Sequence, residues 1–464
     1  MTRLMLPLLA LLLTPATATA RLRAGAASTD ITPVVWPVRL IGNFGITLSR
    51  EAHDALHARA LVLEESGVKV AIALVDSCYV KREELDRIKA SASRRTGIPV
   101  NRILISATHT HSAPPSRAAA NNPQEADYVE RLITQTAEAI TLAHTKLEPA
   151  RIGWAVTPLG GELFNRRWFM RPGTIPPDPY GVTTDVVRMN PPAASPDLQH
   201  PAGGTDPAFS VLSVQTAAGR PLALLGNYSL HYVGGVPGNS VSADYFGEFS
   251  RQVAEKLSGA VVMLTNGTSG DVNNIDFVHP RPRQEPFARI REVASQLATL
   301  ALDAAARIQY QQAVPIRTAE TELVLRYRRP TAGQLAFARQ ALAAPQDQES
   351  TLPRNAKAYA ERALALEAGP AQASIQLQAL RLGELGIAAI PFEVFTETGL
   401  TLKELSPFPT TFTIELANGH YGYLPTPRHF ALGGYETWLG TSNMEVEAST
   451  KITRALLELL GRLR

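Results

Sequence analysis

The sequence predicts an α/β protein in which mixed β-sheets are flanked by helices. Three observations predict it. From Gly25 onward, short runs suited to strands alternate with longer stretches of helical periodicity. Val68 to Val75 is almost continuously apolar, as a strand covered on both faces must be. Several apolar runs also stop abruptly in turns that carry His, Glu or Tyr, and ligands in α/β sheets collect beyond the carboxyl ends of strands.

Taken in order, a helical stretch at Glu83 to Arg95 follows Val68 to Val75, and then comes a strand from Arg102 to Ala107. Tyr128 to Lys146 has helical periodicity, and Arg151 to Thr157 is the next strand. Residues 171–207 are rich in Pro, Gly and Asp and almost without periodicity. So long an irregular loop is usually functional or mobile, and here it predicts a flap on the substrate side. Strands resume at Phe209 to Thr216, Leu222 to Tyr228 and Ala260 to Thr265, with helices expected at Tyr245 to Leu257 and Pro286 to Ile308. A strand at Ile316 to Tyr327 leads into Thr331 to Ala368, an Ala-rich stretch broken near Pro345 and Pro353 that predicts a solvated helical pair. Ser374 to Leu382, Gly386 to Pro391 and Thr411 to Leu416 are strands, and Met444 to Leu463 is an amphipathic helix.

Composition narrows the class of function. The 464 residues are 45% hydrophobic and 19% charged, which describes a globular chain with ample core. A net charge of +3 over this length, with no basic stripe interleaved with aromatics, excludes a nucleic-acid partner. Arg3, the apolar run Leu4 to Leu13 and the small residues Ala18-Thr19-Ala20 form the pattern of a secretory signal peptide over residues 1–20. Residues 21–464 are then expected to be one exported catalytic domain, secreted or periplasmic, with no transmembrane segment in the mature chain. Cys78 is the only cysteine, so no internal disulfide forms, and its apolar surroundings predict a buried residue.

Chemistry concentrates first at Leu104 to Pro115, where an apolar run gives way to His109 and His111, one residue apart. If strand geometry continues through them, both imidazoles share a face. Taken alone the pair is as consistent with a polar rim as with a zinc site, because zinc needs three or four ligands. Three further strand ends supply candidates: His231 after Leu222 to Tyr228, Glu393 after Gly386 to Pro391, and Tyr423 after Thr411 to Leu416. Two His, one carboxylate and a water would make an open catalytic zinc site. Asp244 and Asp271 are candidates to orient the imidazoles, with turn and capping chemistry as the alternative. His53, His57, His144, His200, His279 and His429 are expected on the surface or in loops, whereas His420 is open to facing the pocket.

From about Gly25 to Ala448 the chain resembles the neutral/alkaline, non-lysosomal ceramidase family. The resemblance rests on A-T-H-T-H-S-A-P at 107–114, N-Y-S-L-H at 227–231, S-A-D-Y at 242–245, N-G-T-S-G-D-V-N-N at 266–274, P-F-E at 391–393, and N-G-H-Y-G-Y at 418–423 followed by G-Y-E at 434–436. It implies one Zn2+ ion on His109, His231, Glu393 and Tyr423, with His111 and Tyr435 at the reaction centre and Arg166 binding the polar group of a substrate. The implied activity is hydrolysis of an amide bond, in a ceramide-like N-acyl lipid or a related amide, by water that the zinc activates. A lipid or small-molecule substrate and peripheral contact with a membrane surface go with it.

The chain departs from the family in three places. Asn273 stands where the family has a serine, and its NH2 can serve only as a hydrogen-bond donor to a developing oxyanion. Ser112-Ala113-Pro114-Pro115 replaces a glycine-rich loop, which points to a different amide or ester substrate. The family's C-terminal immunoglobulin-like domain is expected to be missing, as in a divergent bacterial-type member. The alternative is a secreted lipid- or glycan-binding protein of the same fold without catalysis, against which the retention of all four ligand positions argues. A barrel-type amidohydrolase ranks lower, because the H-x-H here follows at least one strand and helix.

Overall fold

The computed structural model describes residues 22–42 and 45–464. The expected signal peptide lies outside the described residues. Two sheets stack face to face, with helices on the outer face of each. The larger sheet has eight strands: β1 (Leu22–Asp30), β2 (His57–Glu65), β3 (Val68–Val75), β4 (Ile103–Ala107), β5 (Glu148–Pro158), β6 (Ala208–Thr216), β7 (Pro221–Tyr228) and β8 (Val261–Asn266). Their spatial order is β8-β7-β6-β5-β1-β2-β3-β4. The smaller sheet runs β9 (Ile316–Arg326), β10 (Gln372–Leu382), β11 (Leu385–Ile390), β12 (Thr410–Glu415).

The period-two alternation of strand side chains builds the layers. In β3, Val70, Ile72 and Leu74 point into the core shared with the smaller sheet, while Ala71, Ala73 and Val75 meet helices. Those helices are α1 (Arg82–Thr96) and α2 (Pro123–Thr145). At the other end of the sheet, Val211 and Leu224 pack on α3 (Asp244–Lys256) and α4 (Ala288–Arg307). Leu385, Ile387 and Ala389 of β11 face the shared core, and Ala388 and Ile390 face away from it. Two short helices follow β9, α5 (Ala332–Ala343) and α6 (Ala356–Ala368). Then come α7 (Thr396–Leu405), α8 (Pro427–Leu432) and α9 (Ala448–Leu463), of which α7 and α9 cover the outer face of the smaller sheet.

Within these two sheets most neighbouring strands are antiparallel, but three pairs are parallel: β3 with β4, β7 with β8, and β11 with β12. The carboxyl ends of these pairs carry the candidate residues. β4 and β8 are opposite edges of the larger sheet, so nothing in its hydrogen bonding alone would bring their ends together. The smaller sheet closes the gap. Asn227 at the end of β7 donates from Nδ2 to the Thr413 carbonyl of β12 at 2.9 Å, and the Asn418 amide donates to the Ile105 carbonyl of β4, also at 2.9 Å.

The segment 171–207 is more ordered than its composition suggests. Val187–Met189 and Leu198–Pro201 flank Arg167–Met170 in a three-stranded sheet. Asp178 accepts the Tyr180 and Val182 amides at 2.8 Å each, and the Trp438 indole donates to Asp185 at 2.8 Å. Side-chain and turn contacts of this kind hold a chain without leaving a periodic trace in the sequence. No helix among the described residues is long and apolar enough to cross a membrane.

Candidate metal centre and substrate cleft

The two imidazoles of the H-T-H segment converge by a route different from the expected one. β4 ends at Ala107, so strand geometry does not continue through His109 and His111. Instead the His109 backbone adopts φ 77°, a left-handed conformation costing a non-glycine residue about 1–3 kcal/mol. Its amide is fixed by the Ser77 carbonyl at 2.9 Å. The turn puts His109 Nε2 3.2 Å from His111 Nε2, with the rings nearly perpendicular.

His109, His231 and Glu393 then meet at one point. His109 Nε2 and His231 Nε2 are 2.9 Å apart, and Glu393 Oε2 lies 3.4 Å from the first and 3.9 Å from the second. Each imidazole is oriented by a backbone carbonyl: His109 Nδ1 donates to Cys78 O at 2.7 Å and His231 Nδ1 to Ser269 O at 3.1 Å. Both Nε2 atoms therefore turn lone pairs toward the same gap. Two such lone pairs this close repel unless a cation lies between them. Four donors at about 2.0–2.1 Å around one zinc ion are about 3.3 Å from one another, close to these separations. The residues fit a zinc ion. Cys78, His109 and His111 form an overlapping group, but Cys78 Sγ, at 3.7 Å, faces the His109 nitrogen already engaged by the Cys78 carbonyl.

The protonation tendencies have the same cause. Burial lowers His109, yet Cys78 and Glu393 beside it reverse this and hold its pKa well above the usual histidine range. Burial, then the charges of His109 and Arg166, hold His231 well below it. Burial would raise Glu393, but His109 and His420 outweigh it and keep the carboxylate ionised. Glu393 thus favours positive charge on His109, and that charge in turn disfavours one on His231.

Tyr423 and Glu393 face each other as register partners of a short parallel pair, Glu393–Val394 with Tyr423–Leu424. Burial and the Glu393 charge push the Tyr423 phenol well above its ordinary pKa, against the pull of Arg166. Arg166 donates from Nη2 to the Tyr423 oxygen at 2.9 Å, and its Nη1 lies 3.4 Å from His231 Nε2. Its Nε donates to Glu436 Oε1 at 2.8 Å, and Arg167 Nη1 donates to Glu436 Oε2 at 2.6 Å. Glu436 is fully buried and fixes both guanidinium groups, a role not anticipated from the sequence. The signal was present: two adjacent arginines inside a core require an acid.

A cleft of about 560 Å³ opens onto this centre, lined by His109, His111, Glu393, Tyr423 and Tyr435. His420 lines it too, with its Nε2 3.3 Å from Glu393 Oε1 and its ring stacked on Tyr79. Lys81 and Arg362 also reach it; neither was anticipated, and Arg362 comes from the helical pair whose charges seemed merely solvated. Burial, with Arg117 nearby, lowers Lys81 to about 8, which leaves it mostly protonated at neutral pH. Tyr435 also walls a second cavity, of about 320 Å³, lined by Pro176, Val187 and Asn190 of the flap.

Other expectations are corrected. Asp244 caps the turn after His231 by accepting the Val233 and Gly234 amides, and Asp271 accepts from Thr396 and Asn165, so neither carboxylate orients an imidazole. The Asn273 NH2 donates to Asn190, which lines the second cavity together with Tyr435, at 2.7 Å, and its carbonyl accepts the Ile275 amide. His429 is fully buried, 3.2 Å from Glu397, instead of lying on the surface.

Six strand ends from three parallel pairs thus build a buried His, His, Glu and Tyr cluster at the base of a cleft, the arrangement of a metal-centred site on an α/β fold. Compared by sequence, the chain matches no family model and no curated protein. Compared by fold, it is similar to the neutral ceramidase from Pseudomonas aeruginosa, with a TM-score of 0.69 and 18% identity over 96% of this chain and 74% of that one. A ceramidase complexed with C2 gives a TM-score of 0.71 and 16% identity, over 96% of this chain and 75% of the other. The chain has the fold of these ceramidases.

Proposed function

We propose that this chain is an exported zinc-dependent hydrolase of amide bonds, acting on a ceramide-like N-acyl lipid or a related amide. The observation that carries the proposal is the 2.9 Å gap between two Nε2 atoms whose Nδ1 partners are both carbonyls. His109, His231, Glu393 and Tyr423 would hold the ion. Zinc there supplies Lewis acidity, polarising the scissile carbonyl and lowering the pKa of water to about 7.

The chain's own residues do the rest. His111 is held neutral by burial, so its Nε2 can accept a proton. As water adds to the carbonyl carbon, His111 Nε2 takes the proton released and passes it to the amide nitrogen; the C–N bond then breaks to give a carboxylic acid and an amine. Arg166, locked by Glu436, donates to the oxygen on which negative charge develops, a contribution of about 3 kcal/mol for a typical oxyanion donor. The Tyr435 hydroxyl lines the cleft beside Tyr423 and can hold a substrate oxygen. Contact with a lipid surface is supported by Ile46, 83% exposed at the cleft mouth, and by the nearby exposed Leu48.

The test is fatty-acid release from a panel of N-acyl amides and esters, with and without chelator. Release abolished by chelator and restored by one equivalent of zinc is expected. Release insensitive to chelator, or from no member of the panel, would contradict the proposal.

A further inference from the structure

We propose that the substrate amide carries an acidic group a few bonds from the scissile carbonyl, received by Lys81, so that an N-acyl amino acid suits the cleft better than a neutral N-acyl alcohol. This rests on the hydrolase proposal and names its substrate class. The charges lining the cleft point to it. They comprise the cations Arg39, Lys81 and Arg362 and a single carboxylate, Glu393, which is committed to the ion. Arg39 is already matched by Glu125, which accepts from its Nε at 2.9 Å and its Nη2 at 3.1 Å.

Lys81 is different. Its Nζ lies 3.2 Å from His420 Nδ1, 3.4 Å from the His420 carbonyl and 4.8 Å from the centre of the Tyr79 ring, all of them neutral groups. Among the described residues no carboxylate forms an ion pair with it. A mostly enclosed ammonium group gains most from an anionic partner, and the cleft is where one can arrive. Arg362, which also lines the cleft, adds to the positive potential that would draw an anion in.

Lys81 also fixes where the anion would sit. With Lys81 donating to Nδ1, His420 carries its proton on Nε2 and donates it to Glu393 Oε1 at 3.3 Å. A single imidazole thus separates the ammonium from the ion-binding carboxylate. An anion on Lys81 would therefore lie close to the reacting carbonyl, as the carboxylate of an N-acyl glycine does. A ceramide head group is uncharged and would leave Lys81 unmatched.

The test uses the full zinc-loaded chain with N-dodecanoylglycine and its neutral near-isostere N-dodecanoylethanolamine. A preference for the glycine conjugate of roughly 10- to 100-fold in kcat/KM is expected, the range for a charge-assisted hydrogen bond. The preference should shrink as salt rises, fall toward one in Lys81→Met and persist in Lys81→Arg. Calorimetry with ketomethylene analogues, in which CH2 replaces the amide NH, should show the acid binding more tightly than the alcohol. Equal turnover of both amides, or a preference that Lys81→Met leaves intact, would overturn the inference and leave the hydrolase standing. Selective binding of the acidic analogue with no amide or ester cleaved would instead remove the hydrolase and keep the anion site. If neither analogue binds and neither amide is cleaved, both fall.

Discussion

The buried His109, His231 and Glu393 cluster and the cleft above it are built by different means. His109, His231 and Glu393 are almost fully buried, follow the ends of parallel strands, and are set by backbone: two carbonyls for the imidazoles and a strand register for the carboxylate. The cleft is lined by side chains from loops and from α6, including Lys81, Tyr435 and Arg362, which keep more exposure and are held mainly by other side chains. A site fixed by backbone tolerates little change, whereas a wall of side chains can be altered to suit another substrate.

Substitutions can break or sharpen this contrast. The largest effect is expected at Glu436, where Glu436→Ala leaves Arg166 and Arg167 buried without their acid. Removing one partner of a buried ion pair costs about 3–5 kcal/mol, so thermal unfolding should drop by many degrees and turnover should be lost with it. Gly270→Ala comes next. A Cβ there would lie 2.7 Å from the Glu393 carbonyl oxygen, and backbone on backbone has no easy escape. A loss of about 1–3 kcal/mol in stability, together with weaker zinc binding in a chelator competition, is expected. Gly42→Ala provides the counterpart on the cleft side. At φ +104°, its Cβ would press on the His111 ring at 2.5 Å. Turnover should fall while zinc content stays near that of the unaltered protein; loss of zinc in both variants would erase the distinction.

A smaller effect concerns pH. Burial holds His429 at about 3 and His420 at about 4, so both are neutral when folded, whereas unfolded histidines titrate near 6.5. Depressed folded values mean that their contribution is fully present above about pH 6.5 and is lost progressively as pH falls toward 4 and then 3. The slope is at most about 1.4 kcal/mol per pH unit for each group. Chemical denaturation between pH 7 and pH 4 should show this decline, and His429→Asn should flatten it. The smallest effect is expected at Asn273. Because its amide is tied to Asn190, Asn273→Ala should cost about 1 kcal/mol and change turnover only a few-fold.

Much of this arrangement was legible in the sequence for a physical reason. A strand buried on both faces is an unbroken apolar run, and a polar residue immediately after it has few places to go except the strand-end crevice. Val68 to Val75 and Leu222 to Tyr228 announced themselves in that way, and His231, Glu393 and Tyr423 were placed from it. Features set by conformation were hidden. The left-handed turn at His109 carries no glycine to mark it, and the carbonyls of Cys78 and Ser269 that orient the imidazoles have no side-chain signature at all. Helix α2 begins five residues before the first periodic apolar position. Its Asn122 cap and Pro123 were the available signal. Lys81, Arg362 and Glu436 looked like ordinary charged residues, because only tertiary packing turns a surface-type side chain into part of a wall.

The most direct measurement is metal content of the purified chain and of His231→Ala, by elemental analysis after dialysis against a weak chelator. About one zinc per chain in the first and none in the second, with both still folded by circular dichroism, is the expected result. Absence of any retained divalent metal in the unaltered chain, or equal retention in the two proteins, would contradict the proposed centre.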